Sequence, residues 1–301
     1  MRVIYMGTPD FSVLPLKKIA AVHEVVLAVT QPDKPKGRGY KMLPTPVKEC
    51  AQSLGIEVYQ PEKINEESVI EYLRGFNADI IVVAAYGKKL PVSILEMPKY
   101  KCINIHASLL PKYRGAAPIN RAIMNGDKIG GVTIMNMAEG MDTGDIVLQK
   151  SFDISKMTAG EYHDKLSEVG SDAVLEAMEL IESGKACPVK QNDDEATHAA
   201  KLTKEECFVS FDMNAEEAYN KIRGLSPVPC AYIVLNDKRI KIVECELSCD
   251  VGEAGKVLSA DKDGIKIAFV DGSITLKRIR PEGSGEMTAW AYVLGHEAEF
   301  R

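Results

Sequence analysis

The run ADIIVVAAYG, residues 78–87, restricts the possible folds more than any other part of the sequence. It is apolar on successive residues, which is typical of a parallel strand covered by helices on both faces. Strand-like runs precede it, and helix-like segments such as TPVKECAQSLG and NEESVIEYLRG separate them. The first segment has Thr45 as N-cap, Pro46 at the first helical position and Gly55 past its end, and Asn65 would cap the second. This alternation predicts an α/β domain built on a parallel sheet.

The pattern changes after an amphipathic helix expected at about residues 158–183. Polar residues dominate the stretch ACPVKQNDDEATHAAKLTKEE, which we interpret as a linker. Beyond it, NAEEAYNKIRG has Asn214 and Glu217 at capping-box spacing, and short strands follow, separated by Asn-Asp and Asp-Gly turn signals. The sequence therefore predicts a first domain at 1–188, a linker at 189–204 and a small antiparallel β-barrel or sandwich at 205–301.

The composition excludes several classes of protein. No run of about 20 apolar residues could span a membrane, and the start MRVIYMGTPDF does not resemble a signal peptide, so we expect a cytoplasmic protein without membrane contact. Seven scattered cysteines fit free thiols in a reducing compartment. There is no Cys-x-x-Cys, and the histidines do not lie at ligand spacing, so we expect no metal. The net charge of −6 speaks against nucleic acid, but QPDKPKGRGYK concentrates Lys34, Lys36, Arg38 and Lys41.

The stretch CINIHASLLPKYRGAAPINRAI, residues 102–123, carries the strongest candidates for chemistry. Its first residues alternate, so a strand would present Asn104 and His106 on one face. In open α/β sheets, ligands bind beyond the carboxyl ends of strands, where these residues would lie. An amide that stabilises an oxyanion and an imidazole that moves a proton suit acyl transfer; alternatively, both are buried groups bonded to backbone. Asp142, in EGMDTGD, either orients the imidazole or only forms a turn.

Other reactions fit the sequence less well. No Gly-x-Ser-x-Gly elbow is present, which disfavours a serine nucleophile. The turn MGTPDF lacks Gly-x-Gly-x-x-Gly, and no Walker sequence occurs, so neither hydride transfer nor nucleotide hydrolysis is indicated. The small residues around Gly87 would let a flat ligand approach the backbone, or would form a simple turn. Leu109 and Leu110 could line an apolar pocket or pack inward.

These stretches together carry a family resemblance. NIHASLLPKYRGAAPI with DTGD resembles the folate-dependent formyltransferases, and MGTPDFS, QPDKPKGRG, VVAAYGKKLP and GVTIMNMAEGMDTGD extend the resemblance over essentially the whole chain. The resemblance implies a Rossmann-like domain that binds 10-formyltetrahydrofolate, and an OB-like β-barrel that helps to hold tRNA. It implies formyl transfer to the α-amine of methionyl initiator tRNA for translation initiation, without a metal, and we expect a monomer. The site residues implied by position in the motifs are Asn104, His106 and Asp142 for catalysis, Ser108, Leu109, Leu110, Pro111, Ala85, Tyr86 and Gly87 for folate, and Lys36, Arg38 and Lys41 for tRNA.

The sequence departs from the family pattern in places. Ala107 stands where members often carry Gly, and SPVPC at 226–230 replaces the usual Asn-Pro-Trp-Pro-Gly. From Cys207 onward, acidic residues outnumber basic ones, so a tRNA-binding face would have to gather its cations. The candidates are Lys238, Arg239, Lys241, Lys277, Arg278 and Arg280. Rival interpretations are another acceptor (a sugar nucleotide or glycinamide ribonucleotide), a formyltetrahydrofolate hydrolase, and a non-catalytic RNA-binding module.

Overall fold

A computed structural model describes residues 1–36, 41–296 and 300 of the chain. The chain divides into two compact units, each assembled from three separate segments. The first unit contains residues 1–115, 131–152 and 163–198, and the second contains 116–130, 153–162 and 199–301. Neither unit is therefore one uninterrupted stretch of sequence.

The regular elements are numbered in chain order. The strands are β1 Arg2–Gly7, β2 Glu24–Val29, β3 Lys34–Lys36, β4 Lys41–Leu43, β5 Val58–Tyr59, β6 Ile80–Ala84, β7 Cys102–His106, β8 Arg114–Gly115, β9 Ile129–Asn136, β10 Ile146–Asp153, β11 His198–Ala199, β12 Ala231–Leu235, β13 Lys238–Ser248, β14 Val257–Asp261, β15 Gly264–Ala268, β16 Ser273–Pro281 and β17 Met287–Thr288. The helices are α1 Val13–Val22, α2 Pro46–Ser53, α3 Glu67–Arg74, α4 Val92–Leu95, α5 Pro118–Met124, α6 Ala159–Glu182, α7 Ala215–Leu225 and α8 Ala289–Gly295. The amphipathic helix expected near 158–183 is thus confirmed as α6.

The first unit is built on one mixed sheet with strand order β10-β9-β7-β6-β1-β2-β5. Strand β6 is buried on every residue, which confirms the prediction of a strand covered on both faces. The pairs β1/β2, β1/β6, β2/β5 and β6/β7 are parallel. The pair β7/β9 is antiparallel, with His106 opposite Thr133, so an antiparallel pair extends the predicted parallel sheet at this side. The residue pattern of a buried strand is the same in parallel and antiparallel pairs, so the sequence could not predict that β9 runs antiparallel to β7.

The helix ends show which of the predicted capping residues form their capping hydrogen bonds. Thr45 caps α2 as predicted, because its hydroxyl accepts a hydrogen bond from the backbone of Lys48 at 3.2 Å. The N-cap of α3 is Glu66 rather than Asn65, and it makes no side-chain capping bond. Asn214 is the N-cap of α7, but the predicted capping box is absent among the described residues. The amide of Ala215 donates instead to the distant carboxylate of Asp271, at 2.8 Å.

The second unit is built on an antiparallel sheet of order β12-β13-β16-β15-β14, with β17 on β16. This confirms the predicted small antiparallel domain, although the ladder does not close into a barrel within the described residues. Asn236 and Asp237 both have positive φ, 49° and 60°, as a tight hairpin turn requires. Helices α7 and α8 cover the sheet, and residues such as Ile222 and Tyr292 are buried against it.

Candidate active site

One face of β7 carries the amide and the imidazole that the sequence singled out. Ile103 and Ile105 are buried on the opposite face, so Asn104 and His106 lie side by side. His106 is 5% exposed. Asn104 is half-buried, and its side-chain amide has no hydrogen-bond partner among the described residues. The amide is therefore available to a ligand.

The orientation of the imidazole follows from its main-chain partner. Its Nε2 lies 3.0 Å from the carbonyl oxygen of Tyr113. A carbonyl only accepts hydrogen bonds, so Nε2 carries the proton in the neutral ring. The other nitrogen, Nδ1, lies 3.7 Å from Oδ2 of Asp142. The free lone pair of the neutral imidazole thus lies on the side of that carboxylate.

The pKa of His106 is set by two opposing effects. Burial lowers the pKa below its usual value of 6.5, whereas the charge of Asp142 and the hydrogen bond to the Tyr113 carbonyl raise it. Burial dominates, and the ring is therefore neutral at physiological pH. A neutral imidazole can accept a proton, and the nearby carboxylate stabilises the cation that results.

Asp142 lies in the loop that follows β9, in a strained backbone conformation. Its φ is 54°, in the left-handed region that few residues other than glycine occupy. Its Oδ2 accepts a hydrogen bond from the amide of Gly115 at 2.9 Å. Gly144 shows why this loop needs glycine, since a Cβ there would lie 1.7 Å from the carbonyl oxygen of Asn136.

Two buried side chains that sequence reasoning missed support this loop. Nε2 of Gln191 donates to the carbonyl oxygens of Asp142 and Gly144, at 2.9 and 2.7 Å. Its Oε1 accepts from Nε and Nη2 of Arg114, at 3.0 and 2.7 Å, and Nη2 also donates to Asp193 at 2.8 Å. Gln191 lies inside the segment expected to be a linker. No local pattern marked it, because its partners are distant in sequence.

The loop predicted to line the folate site is fixed by hydrogen bonds within the loop and to Thr133 of β9. The hydroxyl of Thr133 donates to the carbonyl oxygen of Ser108 at 2.6 Å and accepts from the amide of Leu110 at 3.0 Å. The hydroxyl of Ser108 donates a hydrogen bond to the carbonyl oxygen of Lys112, at 2.6 Å. Ser108 and Leu110 are buried, whereas Leu109 and Pro111 are partly exposed. Only the latter pair presents side-chain surface to a ligand.

The second predicted folate element, AYG, follows β6. Because Val83 pairs with Asn104 in parallel register, the carboxyl ends of β6 and β7 meet at one edge of the sheet. Ala85 and Gly87 are exposed, with φ of 46° and 82°. Tyr86 is buried, its hydroxyl has no partner among the described atoms, and burial raises its pKa to about 12.

Two of the three predicted tRNA-binding residues, Lys36 and Lys41, lie in the hairpin of β3 and β4. The backbones of Lys36 and Lys41 pair in the β3–β4 ladder. Arg38 lies outside the described residues. At the base of the hairpin, Lys48 donates to Asp33 at 2.6 Å, and Gln60 donates to the same carboxylate at 2.7 Å. These contacts fix where the hairpin leaves the sheet.

The cysteines near the site do not suit nucleophilic chemistry. The seven cysteines are free thiols, and Cys102, on β7 itself, donates to the carbonyl of Ile94 at 3.4 Å. Burial raises the pKa of the Cys102 thiol well above its usual range, so it is a poor nucleophile. Within the described parts of the chain, His, Cys, Asp and Glu form no group of three that could bind a metal. None of the described helices has both the length and the apolar character needed to cross a bilayer.

Comparison with known proteins gives the class. Residues 1–178 match the family model for formyl transferases, and residues 201–297 match the model for the C-terminal domain of formyl transferases. The chain belongs to the formyl transferase family. Two similar proteins, from Agathobacter rectalis and Macrococcus caseolyticus, are named methionyl-tRNA formyltransferase. They are 48% and 45% identical over 99% of this chain, and the matches cover 98% and 96% of those proteins.

A solved structure shares the fold at low sequence identity. HypX from Aquifex aeolicus, in complex with tetrahydrofolic acid, matches 98% of this chain with a TM-score of 0.66 and 20% identity. This chain spans about half of HypX, 47% of its length. The likeness supports the architecture of the chain and carries no residue assignment.

Proposed function

We propose that the protein transfers the formyl group of 10-formyltetrahydrofolate to the α-amine of methionyl initiator tRNA. The observation that carries the proposal is the placement of the Asn104 amide beside a neutral imidazole whose Nδ1 faces Asp142. The names of relatives that are nearly half identical over the full chain support the choice of acceptor. No metal enters this proposal, because the reaction requires only an oxyanion donor and a group that moves one proton.

The three side chains divide the chemistry between them. As the amine attacks the formyl carbon, negative charge develops on the formyl oxygen, and the Asn104 amide donates a hydrogen bond to it. Nδ1 of His106 takes the proton that the amine loses, and Asp142 stabilises the imidazolium. The imidazolium then delivers this proton to the folate nitrogen as the bond between carbon and nitrogen breaks. His106 can donate to the oxyanion only after Nδ1 is protonated, because the proton on Nε2 is bound to Tyr113.

The proposed folate site is the edge of the sheet where β6 and β7 end. The exposed backbone of Ala85 and Gly87 would face the flat ring, and the partly exposed Leu109 would cover it. Ser108 would act by holding the loop in shape rather than by direct contact, since its hydroxyl is bonded to Lys112. Tyr86 would likewise act from within the core.

In this proposal the second unit contributes a cationic surface to tRNA. A surface cavity of about 650 Å³ is lined by Lys204, Arg239, Lys241 and Arg280, beside Tyr232, and also by Glu205 and Glu282, so that basic residues outnumber acidic ones in its lining. The guanidinium of Arg239 lies 3.7 Å from the centre of the Tyr232 ring, which fixes its direction. Three of the cations predicted from sequence are paired with acids and are weaker candidates: Lys277 with Glu246, and Arg278 and Arg280 with Glu286.

A competition between acceptors tests the function. The purified protein is given labelled 10-formyltetrahydrofolate with methionyl initiator tRNA, an amino sugar nucleotide, glycinamide ribonucleotide, or no acceptor. We expect label on the methionyl-tRNA, and negligible label elsewhere. Transfer to either small amine, or formate release that does not depend on an acceptor, would replace the proposed function by one of its rivals. Absence of any turnover would leave an RNA-binding role.

A further inference from the structure

We propose that Gln191, held in place by Arg114, is a positioning residue that sets the separation of His106 and Asp142. The inference rests on the proposed function, because the role it assigns is to prepare that pair for proton transfer. Gln191 contacts the main chain of the loop that carries Asp142, at the carbonyl oxygens of Asp142 and Gly144, and not the imidazole or the carboxylate itself. It therefore acts through Asp142.

Every polar atom of the Gln191 side chain is engaged. The residue is 6% exposed, and its nitrogen bridges two carbonyls of one loop while its oxygen accepts the fork of Arg114. Arg114 is also 6% exposed and is anchored at its far side by Asp193. A buried amide whose nitrogen and oxygen are both hydrogen-bonded, as those of Gln191 are, has a well-defined orientation. It can therefore hold a loop rigidly.

The loop needs such support because Asp142 is in the left-handed region. A residue other than glycine stays there only when its surroundings hold it. The amide of Gly115 holds the carboxylate, and Gln191 holds the carbonyl oxygen of the same residue. Without Gln191, the main chain of Asp142 could relax, and its carboxylate would move relative to Nδ1 of His106.

The arrangement also links the two members of the pair. The carbonyl of Tyr113 binds the imidazole, and the amide of Gly115 binds the carboxylate. Arg114 lies between them in the chain, and its side chain binds Gln191. Loss of Gln191 would thus disturb both ends of the 3.7 Å separation.

The test uses Gln191→Met, which keeps the length of the side chain, removes its hydrogen bonds and adds no charge. The first readout is the NMR titration of the His106 ring, with no substrate present. Among the groups that face the ring, Asp142 carries the charge that raises its pKa, the Tyr113 carbonyl is uncharged, and burial opposes both. Arg114 and Asp193 form a compensating pair beyond Gln191. We expect the titration of His106 to move to lower pH, in the direction that Asp142→Asn also produces.

The second readout is turnover. We expect kcat to fall by about tenfold to a hundredfold, because a misplacement of about 1 Å is enough for such a loss, with KM for the folate substrate nearly unchanged. Gln52→Met, the same replacement at an exposed glutamine of α2, is the matched control and should change neither readout. If Gln191→Met does not fold, Asp193→Asn removes only the outer anchor and should shift both readouts in the same direction by less.

The outcomes separate the two proposals. A folded Gln191→Met protein whose His106 titrates as in the wild type, with unchanged kcat, overturns the positioning role. So does Asp193→Asn without any shift, if it is the variant that must be used. A wild-type protein that transfers no formyl group refutes the proposed function instead, and the titration still decides whether Gln191 positions the pair.

Discussion

Replacement of Asn104 by alanine is the most direct test of the proposed oxyanion donor. The amide makes no hydrogen bond within the described residues, so its removal leaves no buried partner unsatisfied. We therefore expect the free energy of unfolding to change by about 1 kcal/mol or less. The transition state, in contrast, loses one donor to a developing charge, which costs about 3 kcal/mol and reduces kcat roughly a hundredfold.

The assay measures kcat and KM for formylation of methionyl initiator tRNA, with urea unfolding of each variant. KM for 10-formyltetrahydrofolate should change little, because the lost interaction is strongest in the transition state. Asn104→Asp keeps the shape of the side chain but replaces the donor with a negative acceptor, so it should lose more activity than alanine. Asn65→Ala, at an exposed asparagine, is the matched control. A folded Asn104→Ala enzyme with kcat within about threefold of wild type would exclude the amide from the mechanism.

Three further predictions test the proposed proton acceptor, the proposed folate site and the proposed tRNA contact. Asp142→Asn removes the charge that raises the pKa of His106. The acid limb of the pH profile of kcat/KM should therefore move to lower pH, while the maximum of kcat/KM falls. A shift to higher pH would contradict the effect assigned to the charge of Asp142. Thr133→Val leaves the amide of Leu110 without its acceptor and removes one of the two acceptors of Gln149 Nε2, which keeps the carbonyl oxygen of Leu110. It should lower the free energy of unfolding by about 2 kcal/mol in urea and raise KM for the folate substrate. Unchanged stability would show that the loop does not depend on this hydroxyl. Arg239→Ala should raise KM for tRNA and reduce the salt dependence of tRNA binding by about one charge. Lys277→Ala, which breaks an existing ion pair, should do neither. Equal effects of the two variants would contradict the proposal that tRNA contacts this cavity.

The sequence predicted those parts of the protein that depend on local pattern. The apolar run of β6, the cap of α2 at Thr45 and the shared face of Asn104 and His106 each follow from residues a few positions apart. The features that the sequence did not predict depend on partners that are distant in the sequence. The capping box of α7 gives way to Asp271, 56 residues further on, and Arg114 meets Gln191 across 77 residues. Spacing rules describe one helix or strand, and they hold no information about such pairs.

The state of the imidazole shows the same limit within the site. The sequence predicted the strand face on which His106 lies, but it did not predict which ring nitrogen carries the proton. That choice is made by the Tyr113 carbonyl, and the segment reaches it because Tyr113 itself has a φ of 63°. A backbone group is invisible in the pattern of side chains. The assignment of the proton to Nε2, and of the lone pair to Nδ1, therefore required the structure.

The glycine of the KYRG motif now has a physical reason. Gly115 has a φ of 126°, a conformation that glycine adopts readily and other residues avoid. The carbonyl of Tyr113 must point toward the imidazole, and the amide of Gly115, two residues later, must point toward Asp142. A side chain at Gly115 would strain this reversal, so the site depends on main-chain geometry as much as on its reactive groups. The Arg-Gly pair thus combines a backbone turn with the anchor for Gln191, and both serve the distance between one imidazole and one carboxylate.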